Sequence, residues 1–190
     1  MLFLLVASML GTRLAERAHA AAGLDSVRRI SRSARDDCSG FVRAIYAREG
    51  IDLVLLPELP RENGVSNIRR LARERRALRR QPRPGDLVFF RDTTARRGYT
   101  HIGIVDFVRG NEVDFVHRAG RGIVRSHLDL RYPHRYPSND FIKRSGPGPR
   151  LAGELVAGFA SADRLAAKKS AARPHKIVRR ARSRDPGRAS

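Results

Sequence analysis

The 190-residue chain has a single cysteine, Cys38, so no internal disulfide can form. The thiol is then a small buried residue, half of an intermolecular bridge, or a reagent. Acidic side chains are scarce, with Asp+Glu 19 against Lys+Arg 39, and the net charge is +20. That imbalance leaves the fold open but favours anionic partners: nucleic acid, acidic lipid or an anionic wall polymer. Arginine runs such as "RRLARERRALRR" fit that role, and they equally fit the base composition of a genome. Zinc-ligand spacing is absent, since one thiol and scattered histidines do not make a Cys/His site. No internal repeat, zinc finger or RNA-recognition module is legible, which removes specific nucleic-acid binding from the leading readings.

The chain also lacks an apolar run of the roughly 20 residues that a bilayer span needs. Its opening, "MLFLLVASMLGTRLAERAHAAAG", has a shorter run, Leu2 to Leu10, of the size of a secretory h-region. Ala18-His19-Ala20 supplies a small-x-small cleavage pattern. A basic n-region is missing, and Arg13, Glu16 and Arg17 follow the apolar run, so an ordinary N-terminal helix is the competing reading. Export places Cys38 in an oxidising compartment, where an unpaired thiol requires an explanation.

What is present divides into three segments: a signal peptide over 1–20, a domain over 21–144, and a basic, largely disordered tail over 145–190. "SGPGPR" at Ser145 to Arg150 marks the last boundary. From Ser145 onward eleven basic residues stand against three acidic ones, leaving +8. Leu151, Leu155, Val156 and Phe159 fit one short amphipathic helix, and beyond Lys168 too little is apolar to be buried. Within the domain, Cys38 to Glu49 reads as a helix with Phe41, Val42 and Ile45 on one face and Gly50 as its C-terminal cap. Asp36 and Asp37 stand at the N-cap. Cys38 then lies in the first turn, where free N–H groups and the helix dipole favour a thiolate while the two aspartates oppose it, so a partner base is needed. A second helix is expected from Ser66 to Arg80.

After Pro84-Gly85 the period changes. Leu87 to Phe90 is a short apolar strand, and "THIGIVDFV" and "NEVDFVHR" are two more, separated by Arg109-Gly110. A hairpin folding about Arg109 sets His101 directly opposite His117, and Gly103 opposite Phe115. Facing side chains have Cβ atoms roughly 4.5–5.5 Å apart, close enough for one imidazole to act as base and the other to orient it. His127 and His134 have no partner pattern and read as surface residues.

"DCSGFVRAIY", "PRPGDLVFF", "THIGIV" and "FVHRAG", in that order, resemble the NlpC-type cysteine peptidases of bacterial cell walls, over roughly Asp36 to Val124. The resemblance implies an α+β, papain-like fold whose N-terminal helices carry the nucleophile and pack on a small antiparallel sheet. It implies hydrolysis of amide bonds in peptidoglycan stem peptides through a Cys-His-His triad, with no metal or organic cofactor. Cys38 is by this likeness the nucleophile, His101 the general base and His117 its orienting partner. Asp37 and Ser39 match positions that receive the amino end of the substrate. The expected enzyme is exported, to the periplasm, envelope or medium, with the basic tail holding anionic wall or membrane.

One departure is marked. Family members carry a tyrosine about ten residues before the cysteine, in an aromatic stretch; here "DSVRRISRSARDD" stands there. Loss of one oxyanion donor costs roughly 10²–10³ in rate. The alternative reading is therefore a degenerate, weakly active or inactive domain that binds wall or another anionic polymer.

Overall fold

In the computed structural model, residues 2–143 and 148–167 are described, with side chains from Met9 onward and without that of Lys143. A long helix α1, Leu2–Ala21, is followed by a 3₁₀ turn, Val27–Arg29, and by helices α2, Cys38–Ala47, and α3, Gly64–Glu74. Strands β1, Leu78–Arg79; β2, Leu87–Arg91; β3, Tyr99–Arg109; β4, Glu112–Ala119; and β5, Gly122–Asp129 come next. After β6, Phe141–Lys143, and β7, Arg150–Leu151, the chain forms α4, Ala152–Leu155, then β8, Val156–Ala160, and α5, Ala162–Ala166. The main sheet has six strands in the order β1-β8-β2-β3-β4-β5, every pair antiparallel. This is the α+β arrangement expected of a papain-like domain, with N-terminal helices preceding an antiparallel sheet.

Strand alternation divides the core into two layers. Leu87, Phe89, Ile102, Ile104 and Val116 meet Leu14, Phe41, Ile45, Ile68 and Leu165 on the helix side. Val88, Phe90, Val105, Phe115 and Leu128 meet Ala152, Leu155 and Phe159 on the other. Helix α2 starts where its cap requires: Asp37 is extended (φ −137°, ψ 175°) and accepts a bond from the Gly40 N–H at 2.7 Å. Buried Tyr46 ties the helix to the turn before β2, its hydroxyl donating to the Gly85 carbonyl at 2.6 Å.

Helix α3 is shorter than the apolar spacing predicts. Asn63, rather than a residue beside Ser66, caps it, accepting from the Ser66 N–H at 2.8 Å. Arg76 then takes a left-handed conformation, φ +51°, which a helix cannot continue through. Leu78 and Arg79 consequently pair with Ala160 and Phe159 as a strand.

The packed core extends beyond residues 21–144 at both ends. Leu14, Ala18 and Ala21 are buried in the main core, and Arg13 and Arg17 pair with the nearly buried Glu49 at 2.8 and 2.7 Å. Gly11 packs on Gly85 so closely that a Cβ on Gly85 would lie 2.3 Å from the Gly11 carbonyl oxygen. The segment after α1 hydrogen-bonds to Ile123 of β5 through Gly23 and Leu24, both at 2.8 Å. Among the described residues no helix is long and apolar enough to cross a membrane.

At the other end, a boundary at residue 144 cuts through the core. Leu151, Leu155 and Phe159 do not line one amphipathic helix. Val156 to Ala160 form a strand that joins β1 to β2, and Leu165 of α5 is fully buried. Residues 168–190, the most basic part of the expected tail, lie outside the described residues.

Candidate active site

Cys38 begins α2, and the backbone N–H of Ile102 on β3 acts to favour its thiolate form. The cysteine lines a cleft of about 700 Å³ whose other walls include Asp37, Arg35, Arg61 and Arg96. The thiol is not pre-ionised. Burial, followed by the negative charge of Asp37, pushes its pKa up to about 11, against the opposing N–H groups of Ile102, Ser39 and Cys38 itself. The expectation of a lowered pKa at the helix start fails for this reason: desolvation and the adjacent carboxylate outweigh the helix N-terminus.

His101 and His117 do come together, though not as a directly facing pair. The turn falls at Gly110, with Arg109 opposite Glu112, and the register shifts between Val105 and Phe107, so Ile104 pairs with Val116. This brings Gly103 beside His117, and a Cβ on Gly103 would lie 3.2 Å from that of His117. His101 therefore meets His117 diagonally across a glycine, within reach of long side chains on one sheet face. Its Nε2 is 2.7 Å from His117 Nδ1, and His117 Nε2 is 3.2 Å from Ser126 Oγ on β5. The two rings stand nearly perpendicular, at 88°.

Phe90 packs beside His101 and Phe115 beside His117, which accounts for the electrostatics. Burial pushes the His101 pKa down to about 4. Burial and then the neighbouring His101 hold His117 well below its ordinary value. Both rings are thus neutral near pH 7. One consistent proton assignment has His101 Nε2–H donating to His117 Nδ1, and His117 Nε2–H donating to Ser126. It leaves His101 Nδ1 unprotonated, the form a base requires.

Two sequence candidates are already engaged. Asp37 Oδ1 accepts from the Gly40 N–H and from Ser39 Oγ, each at 2.7 Å, and Oδ2 lies 3.2 Å from Arg35 Nε. Ser39 is buried, with Gly64 of α3 pressed so close that a Cβ there would sit 2.3 Å from the hydroxyl. Among the described residues no cluster of three or more His, Cys, Asp or Glu side chains converges as a metal site would require. His127 and His134 lie away from this cleft: His127 contacts Asp140 and Pro137, and His134 contacts Glu154.

The model of the NlpC/P60 family matches residues 29–139. The chain belongs to the NlpC/P60 family. Its members are in general cell-wall cysteine peptidases, often of the cell envelope or secreted. A solved NlpC/P60 family protein from Bacillus cereus ATCC 10987 is 22% identical, with a TM-score of 0.35. The match covers 65% of this chain and 30% of that one, so the present chain spans less than a third of that protein's length. The comparison with curated proteins gave no match.

Some residues of this NlpC/P60 site escape sequence reasoning. Ser126 ends the imidazole chain, and only the β4–β5 register, which pairs His117 with Val124, would point to it. Asp36 is more than a second capping candidate. It accepts from the Val27 N–H at 2.9 Å and grips Arg118 through two bonds of 2.9 and 3.1 Å. The arginine holds its carboxyl far below the usual carboxylate range. This clamp joins the segment two residues before Cys38 to the residue after His117.

Proposed function

We propose that this NlpC/P60 chain is a cysteine hydrolase of peptidoglycan stem peptides, with Cys38 as nucleophile, His101 as general base and His117 as the residue orienting it. The observation that carries the reading is the hydrogen-bonded series His101–His117–Ser126, with Ile102, the residue next to His101, acting through its N–H on the Cys38 thiol.

The reaction starts from a thiol and a neutral imidazole, because the two pKa values, about 11 and about 4, disfavour separated charges. Proton transfer from Sγ to His101 Nδ1 therefore accompanies attack on the substrate carbonyl carbon. The tetrahedral oxyanion receives the Cys38 N–H, one of the first-turn donors without an intrahelical partner. The C–N bond breaks as His101 returns its proton to the leaving amine. Water, deprotonated by His101, then hydrolyses the thioester and releases the acid. His117 acts through orientation, accepting from His101 and stabilising the imidazolium that forms.

Asp37 stands at the cleft as a substrate-facing carboxylate, with Ser39 supporting it. No tyrosine precedes Cys38 between Ala18 and Asp37, which favours a slow enzyme and keeps a wall-binding domain as the second reading. Envelope or secreted placement belongs to the same proposal, with one constraint: cleavage compatible with the fold falls before Leu14. Residues 168–190 would serve as a cationic tether to anionic wall or membrane surface.

Release of new amino groups from purified peptidoglycan, by wild type and by Cys38→Ala, tests the reading. The wild type alone should release them. Equal release by both proteins would refute the hydrolase and leave binding as the function to be measured.

A further inference from the structure

The Asp36–Arg118 clamp does not line the cleft, yet its place in the chain is particular. Asp36 stands two residues before Cys38, and Arg118 directly follows His117. Alternation along β4 sends Val116 into the helix-side core and keeps Phe115 beside His117, so Arg118 projects on the side of α2. There its guanidinium binds both carboxylate oxygens of Asp36, at 2.9 and 3.1 Å. A two-bond fork fixes orientation as well as distance. The arginine side chain is 15% exposed and the aspartate 30%, so solvent screens the pair only in part.

Asp36 also holds the stretch that leads into the nucleophile. Its Oδ1 accepts from the N–H of fully buried Val27 at 2.9 Å. The same stretch is tied to β5, where Ile123 N–H donates to the Leu24 carbonyl at 2.8 Å, and to the end of α2, where Arg48 donates to the Ile30 carbonyl at 2.6 Å. The contacts close a circuit. It runs from Cys38 through Asp36 and Arg118 to His117, across the 2.7 Å bond to His101, and back through Ile102, whose N–H favours the Cys38 thiolate. Asp36 and Arg118 are the members of that circuit that can be varied without touching a reacting side chain.

We propose that Asp36 and Arg118 are positioning residues of the hydrolysis: their clamp sets the start of α2, and with it the Cys38 thiol, against the strand that carries His117 and its partner His101. The inference rests on the cysteine-hydrolase reading and adds to it two residues that act without touching substrate. A displacement of about 1 Å between reacting groups costs up to about 10²-fold in rate. Arg118→Lys keeps the charge but offers one ammonium where the fork spans two oxygens. Asp36→Asn keeps an acceptor for Val27 and loses the charge.

Turnover and thiol reactivity of the full chain test it together. In Asp36→Asn, Arg118→Lys and Arg118→Ala, kcat on peptidoglycan peptides should fall roughly 10- to 100-fold while KM stays within about threefold. The double variant Asp36→Asn/Arg118→Ala should lose no more kcat than the worse single one, because a clamp breaks only once. Iodoacetamide should alkylate Cys38 several-fold faster in each variant at one pH, as the thiol leaves its buried setting. The urea midpoint should move by less than about 0.5 M, as for a partly exposed pair. In an active protein, unchanged kcat, a loss confined to KM or additive losses would overturn the positioning role. An alkylation rate equal to wild type, or a midpoint fall above about 1 M in Arg118→Lys, would overturn it whether or not the protein turns over. A wild type without turnover, whose variants still alkylate faster, would refute the hydrolase reading alone and leave the clamp as what places Cys38.

Discussion

Leu14→Ala separates a structural helix from a leader that happens to fold back. Leu14 is fully buried, at 0% exposure, and packs in the main core. Truncating such a leucine removes its transfer free energy and leaves a cavity, together costing about 2–5 kcal/mol. With a urea dependence of roughly 2 kcal/mol per molar, the unfolding midpoint should fall by about 1–2.5 M. Met9, 56% exposed on the same helix, provides the control: Met9→Ala should stay within about 0.5 kcal/mol of wild type. Circular dichroism against urea reads both. A Leu14→Ala midpoint indistinguishable from wild type would refute the placement of α1 in the core. The same reasoning makes a protein beginning at Ala21 unable to fold. It lacks Leu14 and Ala18, and it leaves Glu49, whose side chain is 8% exposed, without Arg13 and Arg17.

Other outcomes follow from the site and the C-terminal strand. Peptide-hydrolysis kcat/KM should be flat across neutral pH and fall on the acid side near pH 4, because His101 stays an unprotonated base down to that pKa; a limb near 6.5 would mean that its burial is absent in solution. Iodoacetamide should alkylate Cys38 more slowly at pH 6 than a free cysteine, since a pKa pushed up to about 11 leaves less thiolate; faster alkylation would establish a pre-formed ion pair. His117→Asn, which keeps an acceptor, should retain at least about tenfold more kcat than His117→Ala, and equal losses with the fold intact would refute an orienting role. Truncation after residue 144 should abolish cooperative unfolding, whereas truncation after residue 167 should preserve it, and Phe159→Ala should cost about 3–5 kcal/mol.

The part of this molecule written most clearly in its sequence is local. Asp37, Cys38 and the Phe41–Val42–Ile45 face specify a capped helix, because a cap acts over three residues and amphipathic spacing over one turn. The strands on either side of Gly110 are equally plain. Their register was less so. Whether Arg109 or the Gly110-Asn111 pair makes the turn, and whether an irregularity falls at Asp106, are decided by twist and packing across the sheet. One such choice moved His101 from opposite His117 to its diagonal, and Gly103 left room for the contact. Helix α3 looked longer because Leu78 continues the spacing of Ile68 and Leu71, while the left-handed Arg76 that breaks it has no side-chain signature. The C-terminal strand was hidden for another reason. Leu151, Leu155 and Phe159 satisfy a helical period, and only the vacancy between β1 and β2 draws Val156 to Ala160 into a strand.

That vacancy has a temporal side. Residues 156–160 fill a position between two strands made some seventy residues earlier, and a chain emerges in order from ribosome or pore. Until the last of those residues is out, β2 has an unpaired edge and β1 has no neighbour at all. Folding cannot finish gradually behind the advancing chain; it waits for a late segment with high sequence separation. Were the chain exported as proposed above, the order of synthesis itself would keep the sheet beneath its imidazoles open until residues 156–160 had passed through.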